Sequence, residues 1–167
     1  MNKENLVHLR RMKSRVISIL IHTVTILLMT LLLYTAIDKL WHNERFQYAL
    51  NTTQWLKQYR EWLAILIPVM ELALVFLMAR SSTRTIGLLL TAGLMAAFTI
   101  YIAAMLQWLS YLPCGCGGII DSLSWKQHLW LNSGLTISAL WAWYANKRLN
   151  ASTDDPVSAC AGTEPAG

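Results

Sequence analysis

Charge is what this chain has little of. Only 14% of its 167 residues are Asp, Glu, Lys or Arg, against roughly 25% in soluble domains. A soluble domain of this size could not cover its surface with so few charges, so an ordinary soluble enzyme is excluded. Hydrophobic residues make up 55%, and they gather in long runs instead of alternating with polar positions. Those runs also exclude a disordered chain and a disulfide-stapled secreted miniprotein. No internal repeat and no second domain is visible. The composition is that of a membrane protein.

A net charge of +5 could suggest nucleic acid, but the charges are placed otherwise. Lys3, Arg10, Arg11, Lys13 and Arg15 lead straight into an apolar run. A basic segment in that position is a topology signal, not a phosphate-binding face. No nucleic-acid partner is expected.

Four apolar runs follow. Val16 to Ile37 carries no formal charge over 22 residues, which at about 1.5 Å per residue crosses a hydrocarbon core of about 30 Å. It is longer than the roughly 7–15 apolar residues of a signal peptide and has no small-residue cleavage site. The second run is 62–79, interrupted by Pro68 and Glu71, and the third is 86–109. The fourth, 129–145, is short and is expected to begin a turn earlier, near Trp125. Only 80–85 separates the second and third runs, so these two are expected to be antiparallel neighbours. The sequence therefore predicts an all-α membrane protein, a four-transmembrane-helix bundle with spans at about 16–37, 62–79, 86–109 and 125–145. Around this membrane domain of 16–149 lie a basic arm, 1–15, and a polar tail, 150–167, predicted to be disordered.

Orientation follows from the basic residues. With the N-terminus cytoplasmic, the inner side holds nine Lys or Arg and the outer side five, the latter accompanied by Asp38, Glu44, Glu61 and Asp121. Both termini are expected inside. Trp55, Trp62, Trp108, Trp125 and Trp130 then collect at the outer interface, with Trp141 and Trp143 at the inner one, where indole rings favour the headgroup layer. Gly93 with Ala97, and Gly134 with Ser138, are four apart and offer grooves for close helix packing.

Leu112-Pro113-Cys114-Gly115-Cys116-Gly117-Gly118 falls on the outer side in this frame. Thiols there meet oxidising conditions, and the glycines relax the backbone so that Cys114 and Cys116 can approach disulfide geometry. So small a ring would be strained, and strained disulfides are the exchangeable ones. It would also close almost no loop and add little stability. Cys114 and Cys116 are therefore a candidate redox pair. The alternatives are a local clasp on a Gly-rich turn, or thiolate ligation of a soft metal with His128, for which no fourth ligand is evident. His128, twelve residues past Cys116, would lower a thiolate pKa if protonated nearby; otherwise it is an interfacial histidine. Cys160 lies in the tail and is given no role. No motif calls for a cofactor.

Glu71 falls near mid-membrane, where a charged carboxylate costs several kcal/mol, roughly. It is a candidate intramembrane proton site or quinone-facing group, with a buried interhelical hydrogen bond as the plainer reading. Pro68 frees the carbonyl of Ala64 beside it, and His22 in the first span is its candidate partner. Lys39 is expected to snorkel to the headgroups, with Asp38 beside it. Phe46, Tyr48 and Trp55 suggest a loop lying on the membrane surface.

Taken together these residues resemble the methylamine-utilisation protein MauE family, within the DoxX-like group of four-helix bacterial membrane proteins. The resemblance rests on Tyr34-Thr35-Ala36-Ile37-Asp38-Lys39-Leu40 with Phe46, on Pro68-Val69-Met70-Glu71, and on Pro113-Cys114-Gly115-Cys116-Gly117-Gly118 leading to Ser124-Trp125 and His128. It spans Tyr34 to Ala145. It implies a multi-pass protein of the bacterial inner membrane, with the Cys-Gly-Cys loop periplasmic. Its implied role is the maturation of periplasmic proteins that need correct disulfides, methylamine dehydrogenase being the family's example, alongside a thioredoxin-like partner and its client. The remaining readings are a non-catalytic anchor subunit of a redox complex, and a small-molecule or proton carrier built on Glu71.

Overall fold

The structure is a computed structural model that describes residues 3–51, 56–108 and 124–153. Every element among them is helical: α1 (Lys3–Trp41), α2 (Asn43–Asn51), a 3-10 turn (Lys57–Tyr59), α3 (Arg60–Ala79), α4 (Arg84–Trp108) and α5 (Trp125–Thr153). The basic residues that precede Val16 share one helix with the first apolar run, because α1 continues through both.

Three segments, Met12–Trp41, Lys57–Ala79 and Arg84–Gln107, are long and apolar enough to cross a membrane. Only 22%, 28% and 33% of their most apolar windows is buried inside the protein. The rest turns outward, with Ile26, Ile65, Phe76 and Ile100 all more than half exposed. Water would not tolerate so much apolar surface, whereas lipid is its natural solvent. The fourth long helix, α5, is not among them.

The four long helices neighbour one another in the cyclic order α1, α3, α4, α5, with the most extensive packing between α4 and α5. Short α2 lies against α3 and α1. The core combines Leu28 and Leu32 of α1, Leu74 and Met78 of α3, Leu88, Ala92 and Met95 of α4, and Ala139 and Ala142 of α5. Several hydroxyl groups inside the helices are satisfied by the carbonyl one turn earlier. Thr25 donates to Ile21 O at 2.7 Å, Thr99 to Met95 O at 2.8 Å and Ser133 to Leu129 O at 2.8 Å, as a medium without water requires.

The small-residue contacts differ from those predicted. Gly93, Ala97 and Gly134 are exposed, and a Cβ added at Gly93 or Gly134 would meet nothing within 4 Å. The close approach occurs instead at Gly87, where a Cβ would lie 2.9 Å from Met78 Cγ and 3.0 Å from Met78 N. The cause is the tight link between α3 and α4. Thr83 Oγ1 donates to Leu77 O at 2.7 Å and Gly87 N donates to Thr83 O at 2.9 Å, which draws the first turn of α4 onto the last turn of α3. Farther along, Asn146 Nδ2 donates to Thr85 Oγ1 at 2.8 Å and ties α5 to α4.

α5 begins at Trp125. Ser124 and Gln127 cap it reciprocally: Ser124 N donates to Gln127 Oε1 at 2.8 Å, and Gln127 N to Ser124 Oγ at 3.4 Å, which satisfies two donors that a helix N-terminus leaves orphaned. α5 extends through Asn150 to Thr153; the rest of the polar tail, including Cys160, lies outside the described residues.

Candidate functional site

The buried positions of α1 are Ile21, Thr25, Leu28, Leu32 and Ala36. Their spacing of three and four is one face of a helix, and three residues further on that face stands Lys39. On α3 the buried stripe is Ala64, Pro68, Glu71, Leu74 and Met78. Because α1 packs on α3, the two stripes face each other and Lys39 meets Glu71. Lys39 Nζ donates to Glu71 Oε1 in an ion pair whose carboxylate is 1% exposed and whose ammonium side chain is 19% exposed.

The predicted partners of both residues are therefore replaced. His22 lies at the middle of α1, more than four turns before Lys39, with Nε2 3.0 Å from Arg84 Nη1 and Nδ1 2.7 Å from Ser18 O, and does not pair with Glu71. Lys39 turns inward instead of snorkelling. Asp38 accompanies His42, at 3.2 Å from Nδ1. The stretch read as a surface loop contains α2, and Phe46 on it approaches Lys39, its ring centroid 5.6 Å from Nζ. Phe98 of α4 stands on another side of the ammonium at 5.0 Å. Two aromatic faces and one carboxylate thus surround a single cation, which offsets part of the cost of taking it out of water.

This cluster borders a cavity of about 160 Å³ to which α1, α2, α3, α4 and α5 all contribute side chains. Its walls are mostly apolar, with Leu28, Leu32, Met95, Ile102, Leu131 and Leu135 among them. The polar groups are few: Thr35, Asp38, Lys39, His42, Arg45, Glu71, His128 and Asn132. An apolar hollow with a handful of convergent polar groups is the general form of a small-molecule site. Of the residues singled out by sequence, Glu71 and His128 come together at this one cavity. Cys114 and Cys116 lie outside the described residues. Among the described residues no group of three or more His, Cys, Asp or Glu could hold a metal ion.

Sequence reasoning missed Lys39, Phe98 and Asn132 as site residues. Lys39 stands three residues past Ala36 on the buried face of α1, but on a run that is apolar all round, that face is known only once α3 is placed. Phe98 and Asn132 carry no mark either, because an aromatic or an amide on an apolar helix is ordinary packing material until the neighbouring helix is placed.

No curated protein and no solved structure matches the chain. A family model does, that of the methylamine utilisation protein MauE, over residues 17–145. The match takes in α3 and α4 whole, α1 from Ile17, and α5 as far as Ala145. With most of its length so covered, the chain belongs to the MauE family of membrane proteins.

Proposed function

We propose that this protein supports thiol–disulfide exchange at the outer face of the bacterial inner membrane, with Cys114 and Cys116 as the exchanging pair. In this reading four helices cross the membrane, both termini are cytoplasmic, and the Cys-Gly-Cys loop faces a periplasmic thioredoxin-fold partner and its client. A thiolate of the reduced pair attacks the partner's disulfide, forming a mixed disulfide and releasing one partner thiolate. The second cysteine then displaces the partner, leaving Cys114–Cys116 oxidised and the partner as a dithiol. Two electrons and two protons pass in all, and the reverse sequence oxidises the partner.

One observation carries this proposal: the segment with both cysteines joins α4 to α5, and the cavity lies at the same end of these helices, between Tyr101 and Ile102 on one and Trp125 and His128 on the other. The His128 imidazole is thereby held close to the end of the cysteine-bearing connection, where it can accept a thiol proton. The outer placement expected from the distribution of Lys and Arg and the MauE membership point the same way.

The test is differential thiol alkylation of Cys114 and Cys116 in intact membranes across defined redox potentials. A reversible two-electron transition within the range of thioredoxin-like partners is expected. A pair that stays reduced, or stays oxidised, at every accessible potential would rule out exchange. A second reading, a proton or small-molecule carrier, draws on the buried Lys39–Glu71 pair. Glu71→Gln would disable the carrier and leave the alkylation transition in place.

A further inference from the structure

The cavity contains one polar residue that the fold leaves half satisfied. Glu71 Oε1 accepts from Lys39, but Oε2 is buried without a hydrogen-bond partner. The Thr35 hydroxyl lies beside this carboxyl, yet it donates to Leu32 O at 3.1 Å. A buried oxygen without a partner is costly, and hydrocarbon around it offers no donor to relieve it. A carboxylate oxygen left open at the wall of a cavity is completed by what enters the cavity.

Size restricts the occupant. The hollow measures about 160 Å³, and an apolar cavity of about 150 Å³ takes up one benzene. One six-membered ring therefore fits, and the Phe46 and Phe98 side chains that line the hollow offer flat apolar surface to it. Charge restricts the occupant further. Among the charged groups of the lining, Lys39 and Arg45 are matched by Asp38 and Glu71, so a carboxylate or an amine would add a charge without a counterpart. Either leaves a charge unpaired away from water, which is expensive. A neutral ring remains. Its edge must suit both an open acceptor, Glu71 Oε2, and the Lys39 ammonium, which has three N–H donors and gives one to Glu71.

We propose that the cavity binds the head group of a membrane-soluble p-quinone, with Glu71 and Lys39 at one edge of its ring. A quinol hydroxyl donates to Glu71 Oε2 and accepts from Lys39, whereas the oxidised ring accepts from Lys39 alone, so the reduced form completes the site and binds the tighter of the two. His128 and Asn132, on the same wall of α5, add polar groups to a site otherwise made of hydrocarbon. The site stands on the geometry of α1 to α5 and does not depend on the cysteine pair.

The test uses the full chain in lipid nanodiscs and an azido-ubiquinone photolabel, with decylubiquinone as competitor. Saturable labelling is expected on the segments of α1, α4 and α5 that line the cavity, competed by decylubiquinone but not by decanoate or decylamine. The double change Lys39→Met with Glu71→Met keeps volume and leaves no lone charge; it should weaken competition by about tenfold or more, the equivalent of one or two lost hydrogen bonds. Ile102→Phe, which fills the cavity and spares the ion pair, should weaken it as well. Labelling that does not saturate, labelling spread along the lipid faces, equal competition by decanoate or decylamine, or full binding by both variants would each overturn the proposal. Because no thiol turnover is read, a negative result leaves the exchange reading intact, and a failed alkylation transition leaves this site intact.

Discussion

Lys39 and Glu71 stand 32 positions apart on α1 and α3 and form an ion pair at the point where four helices and the short α2 converge. In a protein interior, removing one member of such a pair leaves the other charge uncompensated. Replacing both by apolar residues of similar volume is often neutral. Glu71→Met and Lys39→Met should each destabilise the protein by about 3–5 kcal/mol, whereas the double variant should unfold close to the wild type. Thermal unfolding of the three variants in the same detergent reads this directly. A double variant as unstable as the worse single one would mean that hydrogen bonds to other groups, not mutual compensation, hold the two residues in place.

Gly87 and Gly93 make a sharper contrast, since both are glycines of α4 and differ in what faces them. At Gly87 a methyl group would meet backbone as well as side chain of α3, at 3.0 Å and 2.9 Å. Gly87→Ala should cost about 1–3 kcal/mol, the range for overpacking a filled contact. At Gly93 nothing lies within 4 Å, and Gly93→Ala should stabilise the helix by up to about 1 kcal/mol through lost backbone freedom. If the Gly93 variant instead loses stability or changes oligomeric state in size-exclusion chromatography, that face is covered by another molecule.

The Ser124–Gln127 cap fixes where α5 begins, and with it the position of His128 one turn inside the helix. Ser124→Ala should cost about 0.5–2 kcal/mol, read as earlier amide exchange in the first turn of α5 while α4 is unaffected. Uniform loss of protection across α4 and α5 would show instead that the cap supports the whole bundle.

These positions also show which parts of the fold could be read from the sequence. The apolar runs of α1, α3 and α4 are visible because a lipid solvent demands uninterrupted hydrocarbon, and a start of α5 near Trp125 is expected because the run from 129 is short for a crossing; the Ser124–Gln127 cap that fixes it was not read from the sequence. Glu71 is conspicuous because a lone acid in a span is costly. Its partner is not, because Lys39 follows Asp38 at the end of an apolar run and reads as a terminal snorkelling residue. Only the crossing of α1 on α3 decides which cation the acid meets, and His22, one apolar run away from the correct answer, looks equally suitable in one dimension. Gly87 was passed over for the same reason. A Gly-small pair four apart resembles a packing motif, whereas the contact that forms depends on how tightly Thr83 and Leu77 close the link between two helices.

The number of crossings has a decisive consequence for Cys160. Three segments meet the length and hydropathy demands of a span and α5 does not, yet 129–146 carries no charge over 18 residues, with Lys126 before it and Lys147 and Arg148 after it. Eighteen helical residues rise about 27 Å, close to the hydrocarbon thickness of about 30 Å. If α5 crosses, Cys160 is on the opposite side from Cys114 and Cys116; if it does not, all three share one side. In spheroplasts treated with a membrane-impermeant maleimide after reduction, the Cys-Gly-Cys pair should label, and Cys160 should label only after permeabilisation. Labelling of Cys160 in intact spheroplasts would place the C-terminus outside and reduce the bundle to three crossings. α5 would then be a helix packed along α4 without crossing, and the inside location of both termini would be lost with it.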